Sequence, residues 1–147
     1  MDTRHDSRVS PARKSRKGFS LMELMITLAV VAVLLALAYP SYARYVRKAN
    51  RGEAQQLLLN WANNQEIWRS NNPTYADDVD PPNGIPVPVH DRYVFSLGAP
   101  NPPTASEYLL VATAQGDQAK DGLASEGECA TLTLDQLGEK TEAVCWD

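Results

Sequence analysis

The sequence has little of what catalysis uses. Its 147 residues include two histidines, His5 and His90, and two cysteines, Cys129 and Cys145. There is no Cys-x-x-Cys pair, no His/Cys cluster at metal-ligand spacing and no glycine loop built to cradle a phosphate. His5 lies in the N-terminal segment and His90 in a proline-rich stretch, neither beside a nucleophile motif. No catalytic residue, no metal and no cofactor is therefore expected. The length fits one small domain with an appendage and leaves no room for two domains.

Positive charge is also scarce outside the N-terminus. Residues 1–18 carry Arg4, Arg8, Arg13, Lys14, Arg16 and Lys17 against Asp2 and Asp6, a local charge of +4. The whole chain is −4, so the remainder carries −8. Phosphate binding needs a basic face, and so no nucleic-acid partner is expected. The acidity suits a solvated, mutually repelling surface outside the membrane.

What is present in quantity is one apolar run. Residues 19–39 read FSLMELMITLAVVAVLLALAY with Glu23 as the single charge, long enough to span a bilayer as a helix. Eleven Leu, Ile, Phe and Val residues contribute about −3 to −7 kcal/mol to insertion. A central acid costs about 2.5 to 3.5 kcal/mol, and less near one end, where Glu23 sits. Insertion therefore wins. Arg13, Lys14, Arg16 and Lys17 favour a cytoplasmic N-terminus, nearly balanced by Arg44, Arg47, Lys48 and Arg51 on the other side.

Two ordinary readings of this block compete. A secretory signal would be cut after Ala36-Leu37-Ala38, but its apolar region is normally shorter and has no reason to hold a carboxylate. A plain membrane anchor meets the same objection, because an acid in the span needs a partner and no basic residue of the span supplies one.

Lys17-Gly18-Phe19-Ser20-Leu21-Met22-Glu23, then the apolar run, then Tyr39-Pro40-Ser41-Tyr42, resembles the class III signal of type IV prepilins. The resemblance implies that prepilin peptidase cuts after Gly18 and that Phe19 becomes the N-methylated N-terminus. Glu23, four residues into the helix, would then meet the α-amino group of a neighbouring subunit's Phe19 when a filament assembles. The charge would be paired only on assembly, which makes docking register-specific.

Beyond Pro40 the helical pattern resumes. Tyr42, Tyr45, Val46 and Ala49 recur at i, i+3, i+4, i+7, and Ala54, Leu57, Leu58, Trp61, Gln65 and Trp68 continue a stripe one residue out of phase. The spacing predicts a helix to about Ser70, stopped by Asn71-Asn72-Pro73, with a kink at Pro40 and a soft point at Gly52. The Trp61/Trp68 stripe is expected to be core. For the basic cluster from Arg44 to Arg51 several uses stay open: phospholipid headgroups before assembly, acids of adjacent subunits afterwards, a solvated face, or a local pair between Arg51 and Glu53.

Residues 73–92 read as a loop with Asn83-Gly84 as a turn. Asp77, Asp78 and Asp80 invite a calcium reading, but EF-hand spacing is missing and solvated turn acids are favoured. Three strands follow, at 93–97, 108–113 and 130–134, in an order that suggests an antiparallel meander over the amphipathic half-helix. A turn over 135–140 brings 141–146 back to the third strand, so that Cys129 reaches Cys145. The disulfide is expected from an even cysteine count behind an export signal.

That pair also resembles the C-terminal disulfide loop of type IV pilins. Tyr45-Val46-Arg47-Lys48-Ala49-Asn50-Arg51 through Glu53-Ala54-Gln55, Leu132-Thr133-Leu134-Asp135-Gln136-Leu137-Gly138 and Cys145-Trp146 resemble PilE-like minor pilins. The implied fold class is α+β, a type IV pilin fold: a long N-terminal helix, transmembrane in its first half, packed on an antiparallel sheet. The implied division is a removed leader at 1–18, a filament-core half-helix at 19–40, an amphipathic half-helix at 41–72 and a head at 73–147. The implied function is that of a minor structural subunit of a type IV pilus supporting assembly, adhesion and twitching motility. It would be held in the inner membrane with the head periplasmic, then carried into the extracellular pilus. Its partners would be other pilin subunits, prepilin peptidase and the pilus assembly machinery. The alternatives are a type II secretion pseudopilin or a DNA-uptake pilin, and no enzyme is expected.

Overall fold

The computed structural model describes residues 18–77, 84–122, 125, 127–141 and 143–146. The leader up to Lys17 and the acids Asp78 and Asp80 lie outside those residues. A 49-residue helix, α1 (Leu21–Arg69), is followed by strands β1 (Tyr93–Leu97), β2 (Leu109–Ala114) and β3 (Thr131–Asp135), with short 3-10 helices at Gly116–Lys120 and Ala143–Trp146. The expected strands are in place, β2 and β3 each one residue later than the sequence pattern suggests. Pro40 lies inside α1. The chain divides into two units with a boundary between Ala38 and Tyr39.

Helix α1 ends where its sequence stops supporting it. Ser70 N–H still reaches Glu66 O, but Asn71 N–H tightens to Trp68 O. The Asn72 side chain and the Arg69 guanidinium then satisfy carbonyls at the terminus, those of Trp68 and Asn72.

The sheet is an antiparallel meander in the order β1-β2-β3. Its registers place Leu97, Leu110 and Leu134 in one row and Phe95, Ala112 and Leu132 in the next. Alternation sends this face inward, where it meets Ala54, Leu58 and Trp61 of α1 in one core. Trp61, Leu58, Leu110 and Leu132 are essentially inaccessible. Burying each such side chain is worth roughly 1.5 to 3 kcal/mol.

The return after β3 depends on Asp135 and Gly138. The Asp135 Oδ1 accepts from the N–H groups of Leu137 and Glu139, and Gly138 takes φ 77°, where a side chain would be strained. Leu134 then bridges Lys140, and the chain closes on the Cys129–Cys145 disulfide, both cysteines fully buried.

Candidate functional site

Among its described residues the first unit buries no side chain. From Phe19 to Leu37 the large apolar side chains are all exposed, Phe19 at 87% and Leu37 at 72%. An apolar surface of this extent is an interaction surface in waiting, for lipid or protein. The 18-residue window that is apolar enough to cross a membrane has none of its residues buried. Thr27, within that run, turns its hydroxyl to Leu24 O at 2.8 Å, so that its donor is satisfied inside the helix.

Gly18, Phe19 and Ser20 precede the helix, and Ser20 O accepts the first helical bond from Leu24 N–H. Glu23 stands in the first turn, where the helix dipole favours a carboxylate. It is exposed and makes no hydrogen bond or ion pair among the described residues.

In the second unit α1 presents a polar ladder before its apolar core stripe. Arg47 Nε pairs with Asp117 Oδ2 at 3.1 Å, Asn50 donates to Gln118 Oε1 at 3.0 Å, and Arg51 Nη1 pairs with Asp121 Oδ2 at 2.8 Å. Gln118 donates in turn to Arg47 O and to the Tyr93 hydroxyl. Arg51 and Asp121 are both buried, at 2% and 6% side-chain exposure. The hydrogen bond from Arg47 holds the Asp117 carboxyl below its ordinary range. Burial pushes the Tyr93 phenol up, and that effect outweighs the hydrogen bond from Gln118.

Of the uses open to the basic cluster, the local pair is not the one made. Arg51 does not pair with Glu53, which faces His90 at 3.2 Å instead. Of the apolar series Tyr42, Tyr45, Val46 and Ala49, Val46 is partly buried and the other three are exposed, and the face turned to the head carries Arg47, Asn50 and Arg51. The signal was available: stepping the buried series Gln65, Trp61, Leu58, Ala54 back by threes and fours lands on Arg51 and Arg47. Polar residues give no hydrophobic periodicity, so the apolar series of the other face stood out.

Two further side chains tie the helix to the head. The Gln65 amide, fully buried, both donates to Ala76 O and accepts from Ala76 N–H, at 3.0 and 2.8 Å. Gln55 donates to Cys145 O at 2.6 Å, so the helix holds the disulfide loop directly. Lys140 Nζ lies 4.6 Å above the Trp146 ring, stiffening the loop's outer edge. Asp77, one of the turn acids, bridges Gly84 along the backbone. Among the described residues no cluster of three His, Cys, Asp or Glu side chains is placed to hold a metal ion.

Comparison with known proteins follows the same division. A family profile described as "Type IV minor pilin ComP, DNA uptake sequence receptor" matches residues 40–133. A second, the prokaryotic N-terminal methylation motif, matches residues 13–39. A solved structure of a type IV pilin from Shewanella oneidensis is similar at 25% identity and a TM-score of 0.53. The similarity covers 69% of this chain and 98% of that one. No curated protein matches.

Proposed function

The chain belongs to the type IV minor pilin family, and on that premise we propose that it is a filament subunit kept in the inner membrane until assembly. Residues 19–40 anchor it, and Pro40, which has no N–H to give the helix, marks the end of that segment. Prepilin peptidase removes 1–18 by cutting after Gly18, and Phe19 becomes the N-methylated terminus. The observation that carries this reading is the exposed apolar helix bearing a Glu23 that has no partner among the described residues, within the segment that matches the methylation motif. An apolar surface with one lone carboxylate is satisfied neither by water nor by lipid alone. It is satisfied by like helices around it and an amine opposite the acid. Assembly with other pilins supplies both, and support of adhesion and twitching motility follows from membership of such a filament.

A second reading, reception of DNA during uptake, is favoured by the description of the matched family. Against it stands the −8 charge of the chain beyond residue 18. Half of the cations between 44 and 51 are also taken up by Asp117 and Asp121. Salt-dependent binding of duplex DNA by the purified chain would favour this second reading.

The test of the first is the mass of the mature chain extracted from membranes. It should begin at N-methylated Phe19, and the chain should appear in filaments sheared from the cell surface. A start at Tyr39 would sink the filament reading outright.

A further inference from the structure

Helix α1 carries four cations between residues 44 and 51, and they do not share one fate. Arg51 is buried against Asp121, and Arg47 is held by Asp117. Arg44 and Lys48, four residues apart on one side of the helix, are exposed and make no hydrogen bond or ion pair among the described residues. They line a groove of ≈ 250 Å³ with Tyr45, Arg47 and Arg51. Among the described residues the one carboxylate lining it, Asp121, is already engaged by Arg51. The groove is therefore a concentration of uncompensated positive charge on an otherwise acidic head, and it attracts an anion.

Its position along the helix says which anion. Tyr39, Tyr42 and Tyr45, exposed at 73%, 68% and 73%, crowd the same segment directly after the apolar run. Tyrosines so placed sit at the level of lipid headgroups. Arg44 and Lys48 lie five and nine residues beyond Tyr39, about 7 and 14 Å at 1.5 Å per residue. Helical side chains lean towards the N-terminus, so both cations reach back towards the membrane rather than away from it. The polar layer on each side of a bilayer is roughly 5 to 8 Å deep, within the span of a lysine or arginine leaning back from those heights.

We propose that Arg44 and Lys48 bind the phosphate of an anionic phospholipid in the leaflet that the head faces. The lipid holds the waiting subunit at a fixed height and is released when the subunit leaves for the filament. The inference rests on the membrane-anchored state proposed above. Charge complementarity and continuity with the anchor favour lipid over a carboxylate of a neighbouring subunit.

The full chain, reconstituted in vesicles of phosphatidylcholine with a minority of phosphatidylglycerol, provides the test. Photoactivatable analogues of each lipid are crosslinked and the adducts mapped by mass spectrometry, while flotation reports anchoring separately. The phosphatidylglycerol probe should label residues 42–51 in preference to the phosphatidylcholine probe. Arg44→Gln or Lys48→Gln should lower that labelling about fivefold each, and the double variant about thirtyfold, with flotation unchanged. Arg69→Gln, which removes a charge at the far end of α1, should change nothing. Equal labelling by both probes overturns the proposal, as does labelling that survives in the double variant. If that variant keeps its lipid labelling but is missing from sheared filaments, the groove serves a neighbouring subunit instead, and the lipid assignment fails. If the unaltered chain does not float with vesicles of either composition, the anchored state itself is wrong and the lipid site falls with it.

Discussion

Replacing Arg51 by methionine should destabilise the head more than any comparable change on the exposed face of α1. The Arg51 Nη1–Asp121 Oδ2 pair spans 2.8 Å with both side chains almost wholly out of solvent. Removing the guanidinium leaves the carboxylate buried without its counter-charge, which costs about 3 to 5 kcal/mol. A domain this small has roughly 5 to 15 kcal/mol to lose and shifts its Tm by about 4 to 8 °C per kcal/mol. The single variant should therefore melt at least ~12 °C lower. Asp121→Leu should suffer similarly, because it strands the arginine. The double variant Arg51→Met/Asp121→Leu should recover most of the loss, since an apolar pair of similar volume is often as stable as a buried ion pair. The backbone of Asp121 is bonded independently, its N–H to Gln118 O and its carbonyl to Cys129 N–H, so the segment keeps its course in all three. Urea and thermal unfolding in detergent, followed by the fluorescence of the buried Trp61, gives the complete double-mutant cycle. A loss below about 1 kcal/mol for the single variant, the range of a surface pair, would refute the buried-pair argument. So would strict additivity of the two substitutions, because residues in direct contact should couple.

Other perturbations test other links of the argument. Glu23→Ala should still float with membranes but enter sheared filaments about 30-fold less well or worse, as expected when one partner of a buried charge pair is removed; normal incorporation would refute the pairing of Glu23 with a neighbour's amine. Cys129→Ser/Cys145→Ser should lower stability by about 3 kcal/mol, because a loop with a sequence separation of 16 is no longer closed in the unfolded chain. An unfolding midpoint insensitive to this change and to reductant would show that the helix grip through Gln55 suffices without the covalent link. At alkaline pH the sign comes from the tyrosines. Burial is the first cause raising the phenols of Tyr75, Tyr93 and Tyr108, with Glu66 adding to the effect at Tyr75 and Tyr108. The folded state thus prefers the protonated forms, so their contribution is complete below the ordinary value of 10.0 and is lost as pH rises through and beyond it. Urea midpoints should begin to fall at about pH 10 and be lower by about pH 11, and a flat profile there would contradict the burial of these rings.

Composition and local pattern determined a good deal of this molecule. An apolar run with one acid is legible because bilayer insertion depends on summed transfer energies, not on neighbours. The strands were legible because alternation and β-branching are properties of five or six consecutive residues, and the helix end because Asn71, Asn72 and Pro73 act within one turn. The tertiary structure decided the partners. Arg51 lies 70 residues from Asp121, Arg47 70 from Asp117, Glu53 37 from His90 and Gln65 11 from Ala76. Helical stepping singles out Arg47, Arg51 and Gln65 on α1, but nothing local marks Asp117, Asp121 or Ala76 as their partners. It took the meander folding back onto α1 to turn the face holding Arg47, Asn50 and Arg51 inward. The same packing left Tyr42, Tyr45, Arg44 and Lys48 outward. Apolar burial is encoded by sequence period, whereas the pairing of charges depends on distances that exist only once the chain has folded.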